Sequence, residues 1–164
     1  MTPALWQFGL TPDQAMKIAM VSLNWSAVDM SLGMALVGHT GIVSPLHAAD
    51  LVHILDVRTK IDILHRRYKR GEFHSAATVF IKEMVWIGEN YRADRNMLAH
   101  AVYADDGADG VMWSPSKLKA LALSELDAIV SEARYAAHIA NRLSLAIHGI
   151  ELPEAPPPRP AARP

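Results

Sequence analysis

Cysteine does not occur in the 164 residues. Disulfides and thiolate-bound zinc are thereby excluded, and such a chain suits a reducing, cytoplasmic setting. Aromatic residues are scarce at 7%, while Ala, Leu, Met and Ile supply most of the 51% hydrophobic content. That balance favours helices over strands. Neither sign of charge dominates: 16 Lys and Arg stand against 17 Asp and Glu, a formal net charge of −1. Nucleic acid is not drawn to such a chain as a whole, so binding it requires a local patch. Residues 1–10 place no basic residue ahead of an apolar run, and no signal peptide is expected. The most apolar window, residues 18–37, is interrupted by Asn24 and Asp29, so no membrane span is expected there.

What is present is helical punctuation. Thr11-Pro12-Asp13-Gln14 reads as a helix start, with Thr as N-cap, Pro at the first helical position and Gln reaching back. This first helix is expected to reach about Val37 and stop at Gly38 or Gly41. Met16, Met20, Leu23, Ala27, Met30 and Met34 form one stripe on it; Val21, Trp25, Val28, Leu32 and Ala35 form another. A helix apolar on two sides needs two partners, so it is central or sits at a subunit interface. Ser44-Pro45 opens a second helix, with the stripe Ile54, Val57, Ile61, Leu64 and Tyr68, that closes at Gly71. A third carries Phe73, Ala77, Phe80, Met84, Ile87 and Tyr91, with a break offered by Gly88 and Asn90, and helix resumes to about Tyr103. Residues 105–115 read as a loop containing a short extended piece at residues 111–113. The last helix starts at Ser124 and ends at Gly149, with the stripe Leu126, Ile129, Ala133, Ala136, Ala140, Leu143 and Ile147. The expected fold is all-α, a bundle of four or five helices forming one domain over residues 11–149. Residues 150–164 form a proline-rich tail, with six prolines among the twelve residues from Pro153. That tail is expected to be disordered and dispensable for stability, having nothing to bury.

The stretch that reads as chemistry is Arg95-Asn96-Met97-Leu98-Ala99-His100. An arginine holds a phosphate by a two-pronged hydrogen bond, and a histidine carries a proton near neutral pH. The spacing resembles the signature of the HEPN superfamily, an arginine followed by Asn, Asp or His and, four to six residues on, a histidine. The resemblance implies a compact helical bundle with the motif on a late helix. It also implies a metal-independent endoribonuclease without cofactors, acting as a homodimer whose two motifs line one cleft. As a toxin or defence effector, such a protein would have RNA as substrate and an antitoxin or regulatory protein as partner. In that reading His100 moves protons, Arg95 neutralises charge on the phosphate, and Asn96 orients one of them. Some toxin members carry a tyrosine two residues after the histidine. Val102 stands there in this chain and Tyr103 one further, so that modification chemistry does not carry over. Five residues along a helix turn about 140° and rise about 7.5 Å. Arg95 and His100 therefore converge only if Arg95 lies in a first turn, or if each meets the other across a dimer axis. Otherwise Arg95 would pair with Asp94 or Glu89, and His100 would be a half-buried structural histidine.

Other charged groups carry their own alternatives. Arg66, Arg67, Lys69 and Arg70 form the basic run, which is either a solvated helix end or a patch that tracks RNA phosphates. Asp29 and Arg58 lie close to apolar stripes. They read as a buried or interfacial pair fixing register, or as support for the motif, since some HEPN domains place an acidic residue on an earlier helix. His47, Asp50 and His53, with Asp62 and His65, repeat a DxxH spacing, but on one helix and about 18 Å apart, which does not suit a di-metal bundle. Two readings stand: a HEPN-type ribonuclease, or a non-catalytic helical dimer that binds protein or nucleic acid.

Overall fold

Thr11 caps the first helix as its sequence asks. Its hydroxyl accepts from the Gln14 amide while the Gln14 side chain accepts from the Thr11 amide, and α1 runs over Pro12–Thr40 to a left-handed Gly41. The computed structural model describes residues 10–41, 44–100, 102–104, 111–113, 120–152, 155–161 and 163. Among these the chain is predominantly helical. After α1 come α2 (Pro45–His53), α3 (Val57–Lys69), α4 (Ser75–Asn90), α5 (Arg92–His100) and α6 (Leu126–Ile147). Between α5 and α6 lies a small antiparallel meander, β1 (Val102–Ala104), β2 (Val111–Trp113) and β3 (Ala120–Ala122), in that order. Val102 faces Trp113, and Trp113 faces Ala120.

Two departures from the sequence expectation concern element boundaries. The single helix expected over residues 45–70 is two, because Asp56 turns the chain out of α2. Its carboxylate accepts from the Thr59 amide at 2.7 Å and caps a new helix, leaving Ile54 exposed rather than on a stripe. The helix expected to run to Tyr103 stops at His100, where Val102 and Tyr103 enter β1 instead. The bundle thus has six helices among the described residues, not four or five, and the extended piece at residues 111–113 is the middle strand of a sheet.

The core is built from the stripes. Val21, Trp25, Val28, Leu32 and Ala35 of α1 are buried against α6, its principal partner. Leu126, Ile129, Ala133, Ala136, Ala140 and Leu143 of α6 are buried in the same core, as are Phe80, Met84 and Ile87 of α4. By length and composition α1 could cross a membrane, with a mean hydropathy of 1.3 in its most apolar window. The stripe from Val21 to Ala35 that contributes to this value is nevertheless packed inside the bundle. Its other stripe faces outward, with Met16 62%, Leu23 69% and Met30 50% exposed. Helix α2 approaches α1 at Gly33, where a Cβ would come within 2.8 Å of the Val52 side chain.

Lys60, on the inner face of α3, is fully buried. Its ammonium donates to Asp29 Oδ1 at 2.6 Å, to the Asp29 carbonyl at 3.2 Å and to the Val52 carbonyl at 2.6 Å. One cation therefore ties α1, α2 and α3, using all three of its donors. Asp29 and Arg58, read from the sequence as a possible pair, are not paired: Asp29 holds Lys60, and Arg58 lies 3.8 Å from Asp62 on the surface.

The tail is also corrected. Residues 155–161 and 163 lie against α4, α5 and α6, held by Arg159 on Glu83 and by Arg163 on Asp94, Glu125 and Glu132. Apolar burial was the wrong criterion, because charge-assisted hydrogen bonds do the holding.

Replacing Lys60 by Ala is expected to lower the unfolding free energy by roughly 3 kcal/mol, through the emptied volume and the unpaired groups left behind. Asp29 is 40% exposed, which keeps the loss at the low end of the buried-pair range. Lys60→Met fills the volume and is expected to cost about half as much, for the orphaned Val52 carbonyl. Urea titrations check both; a loss under about 0.5 kcal/mol in each would contradict a structural role for this ammonium.

Candidate functional site

Arg95 is the fourth residue of the nine-residue α5, hence in its first turn. Its Nη1 donates to Asn96 Oδ1 at 3.0 Å, which orients the guanidinium across the helix surface. The alternative partner Asp94 is unavailable, because it holds Arg163 at 2.6 Å, and among the described residues Arg95 has no carboxylate partner. Arg92, three residues earlier, lies on the same side of α5.

This face of α5 opens on a cleft of about 300 Å³. Opposite stand Trp25 and Asp29 of α1, His53 at the end of α2, Asp56 in the turn that follows and Arg58 in the first turn of α3. The cleft thus gathers three arginines, Arg58, Arg92 and Arg95, from two elements that the sequence separates by more than thirty residues. Against them stand two carboxylates, each already engaged. Asp29 is compensated by Lys60, and Asp56 caps α3. The Asp56 carboxyl is held below its usual range, first by the Thr59 amide and further by the charges of Arg92 and Arg58. What remains is a surplus of guanidinium donors aimed at a concave surface, an arrangement suited to a phosphate oxygen or another anion.

The structure brings together four of the residues singled out from sequence: Arg95, Asn96, Asp29 and Arg58. It adds Arg92, then His53, which the sequence offered only within the His47, Asp50 and His53 spacing, and behind them Lys60. A sequence signal existed for two of these. Arg92 is at i−3 from Arg95, and Lys60 falls on the apolar face between Val57 and Leu64, where a lysine requires a buried acceptor. His100 ends α5, five residues after Arg95, and its side chain lies outside the described residues.

The basic run is elsewhere. Arg66, Arg67, Lys69 and Arg70 occupy the far end of α3, about 12–18 Å along its axis from Arg58 at 1.5 Å per residue. Arg67 pairs with Glu72 at 3.1 Å and Arg70 approaches it at 3.9 Å, while His39 reaches the same carboxylate at 3.1 Å. Glu72 is held below the usual glutamate range, first by the His39 hydrogen bond and then by Arg67. Arg66 and Lys69 are exposed. No cluster of three or more His, Asp and Glu side chains arranged to hold a metal occurs among the described residues.

Neither a protein-family model, nor a curated protein, nor a solved structure matches this chain.

The Asp56 cap sets the turn that presents Arg58, and its effect on stability is testable. Asp56→Ala is expected to cost about 1 kcal/mol and Asp56→Asn markedly less. Because the folded carboxyl is depressed, the wild-type advantage is present above about pH 3.8 and fades as the pH falls through the lower folded value. Denaturation of wild type and Asp56→Ala at pH 7 and in strong acid checks the sign. A gap that widens in acid would contradict it.

Proposed function

We propose that this chain is a metal-independent endoribonuclease of HEPN type. The observation that supports the reading is the cleft at Arg95 and Asn96, where Arg92 and Arg58, the latter 3.8 Å from Asp62, add two further guanidinium groups. RNA supplies the matching anion. In the reaction, the ribose 2′-oxygen loses its proton to a base and attacks the adjacent phosphorus. The bond to the 5′-oxygen breaks, and that oxygen takes a proton from an acid. The products are a 2′,3′-cyclic phosphate and a 5′-hydroxyl. Arg95 neutralises the charge that grows on the non-bridging oxygens, with Arg58 or Arg92 as the second clamp. His100, from the motif, is the proton carrier. His53 places another imidazole on the rim of this cleft. Acid and base are then supplied by two imidazoles, either His100 and His53 of one chain or the two His100 of a dimer.

With EDTA present, the wild-type protein is expected to cut single-stranded RNA and leave 2′,3′-cyclic phosphate ends. His100→Ala and Arg95→Ala should each lower the rate by about 10²–10⁴-fold without unfolding the chain. Arg95→Lys should rescue little, because a point charge does not reproduce a two-pronged contact. His53→Ala separates the two proton-transfer schemes. RNA left intact by well-folded wild-type protein across varied sequences would sink the enzymatic reading.

The second reading, a non-catalytic helical dimer, shares one feature with the first. Met16, Leu23, Ala27, Met30 and Met34 form the outward stripe of α1, which one small bundle leaves uncovered. We propose that a second copy covers it. Light scattering at micromolar concentration should give twice the 18.0 kDa chain mass, and Leu23→Glu with Met30→Glu should return the monomer. A wild-type monomer would count against both the dimer and a composite site. A dimer without ribonuclease activity would favour the interaction module.

A further inference from the structure

Residues 155–161 and 163 lie along the groove between α4 and α6, over Asp94 of α5, and their Arg159, Pro160, Ala161 and Arg163 bound a cavity together with Trp86, Asp94 and Glu132. Two arginines, four residues apart, do the gripping. The Arg159 guanidinium donates through Nε and Nη2 to the two oxygens of Glu83, at 2.6 and 2.8 Å. It also lies 3.6 Å above the Trp86 ring, which meets the Tyr91 ring in a T-shaped contact. The Arg163 guanidinium reaches Asp94 at 2.6 Å, Glu125 at 3.2 Å and Glu132. Tyr135 adds a polar contact, its hydroxyl 3.0 Å from Glu83 and 3.3 Å from the Pro157 carbonyl.

The charges on the groove side explain why a cation belongs there. Asp94 and Glu132 come from different helices and, with Arg163 seated on them, are 9% and 6% exposed. Two carboxylates brought together out of water repel each other and lose hydration, and each needs a compensating donor. A guanidinium is the side chain that satisfies several carboxylates at once through a planar fork. The segment itself is Ala155-Pro-Pro-Pro-Arg159-Pro-Ala-Ala-Arg163, which has no large apolar anchor. Its prolines restrict the free chain, so less entropy is lost on docking. Recognition therefore rests on the two arginines and their spacing.

We propose that the groove between α4 and α6 is a receptor for a proline-flanked Arg-x-x-x-Arg peptide, and that its occupant is the chain's own residues 155–163, bound as a detachable strap. The groove recognises guanidinium geometry rather than positive charge alone. Because Asp94 adjoins Arg95, the strap also holds the start of α5. The proposal is independent of the ribonuclease reading, since its test is binding.

The test uses the full-length double variant Arg159→Ala/Arg163→Ala and a fluorescein-labelled peptide of residues 155–164, followed by anisotropy. The double variant should bind the peptide saturably. The wild-type chain should bind it at least about tenfold more weakly, because a tethered strap competes at a high effective concentration. Affinity should fall as salt rises from roughly 0.05 to 0.5 M. A peptide with both arginines replaced by lysine should lose most of the binding. Equal binding of the lysine peptide would reduce the groove to an acidic patch and overturn the proposal, as would no binding to a folded double variant. Should that variant fail to fold, the wild-type chain carries the test through hydrogen exchange. The side-chain Nε–H groups of Arg159 and Arg163, bonded to Glu83 and Glu132, should be protected at low salt and released by excess unlabelled peptide. Exchange at unprotected rates under both conditions would refute the strap.

Discussion

A buried ammonium organises this bundle. Lys60 has no water to turn to, so its three donors must be met by protein oxygens, and they are met by Asp29 and by the Val52 carbonyl. That requirement fixes where α1, α2 and α3 stand relative to one another, since each contributes either the lysine or an acceptor. The cleft inherits its shape from this arrangement. Asp29 lies on one wall, and the chain that follows Val52, from the end of α2 into the start of α3, carries His53, Asp56 and Arg58 onto another. With Asp29 compensated from behind by Lys60, the three arginines facing the cleft are not cancelled by it. The same contact that holds the fold also sets the sign of the cleft.

Helix α5 separates charge between its two sides within nine residues. Arg92, Arg95 and Asn96 line the cleft, spaced as neighbours on one helical face. Asp94 and Leu98, four residues apart, are turned inward, where Asp94 meets Arg163. Two arginine-rich features thus converge on one short helix from opposite sides with opposite logic. On the cleft side the guanidinium groups of Arg92 and Arg95 belong to the helix and form no ion pair among the described residues. On the groove side the carboxylates belong to the helices and receive guanidinium groups from the chain's last residues. Glu83 shows how firmly the second arrangement is held: the Arg159 hydrogen bonds depress its carboxyl despite burial that opposes ionisation. Next to it, burial and the Glu83 contact push the Tyr135 hydroxyl up to about 12.

Much of the fold was legible where one physical rule decided it. The Thr11 capping box, the two stripes of α1 and the stripe of α6 depend on local chemistry and helical period, and the structure follows them. Legibility failed where two rules competed. Apolar spacing from Ile54 through Tyr68 suggested an unbroken helix, and the Asp56 cap prevailed over it. The proline-rich tail offered no apolar surface, so its docking depends on carboxylates scattered over Glu83, Asp94, Glu125 and Glu132, which nothing in the local sequence connects. In the candidate site, Arg95, Asn96, Asp29 and Arg58 were named from sequence and share one cleft, although Asp29 pairs with Lys60 rather than with Arg58. Arg92 and His53 join that cleft through helical geometry and a turn, information that resides in the tertiary fold. The basic run at Arg66 to Arg70 shows the opposite case: charge density was plain in the sequence, but its distance from the cleft was not.

In the proposed function the arginine cleft, rather than the basic end of α3, receives the RNA phosphate. The most direct measurement is the NMR response of the arginine side-chain Nε–H signals to a short RNA whose 2′-hydroxyls are replaced by hydrogen, which binds without being cut. Saturable shifts at Arg58, Arg92 and Arg95, with Arg66 and Arg70 unmoved, are the predicted result. Shifts confined to Arg66 and Arg70, or none at any arginine, would contradict it.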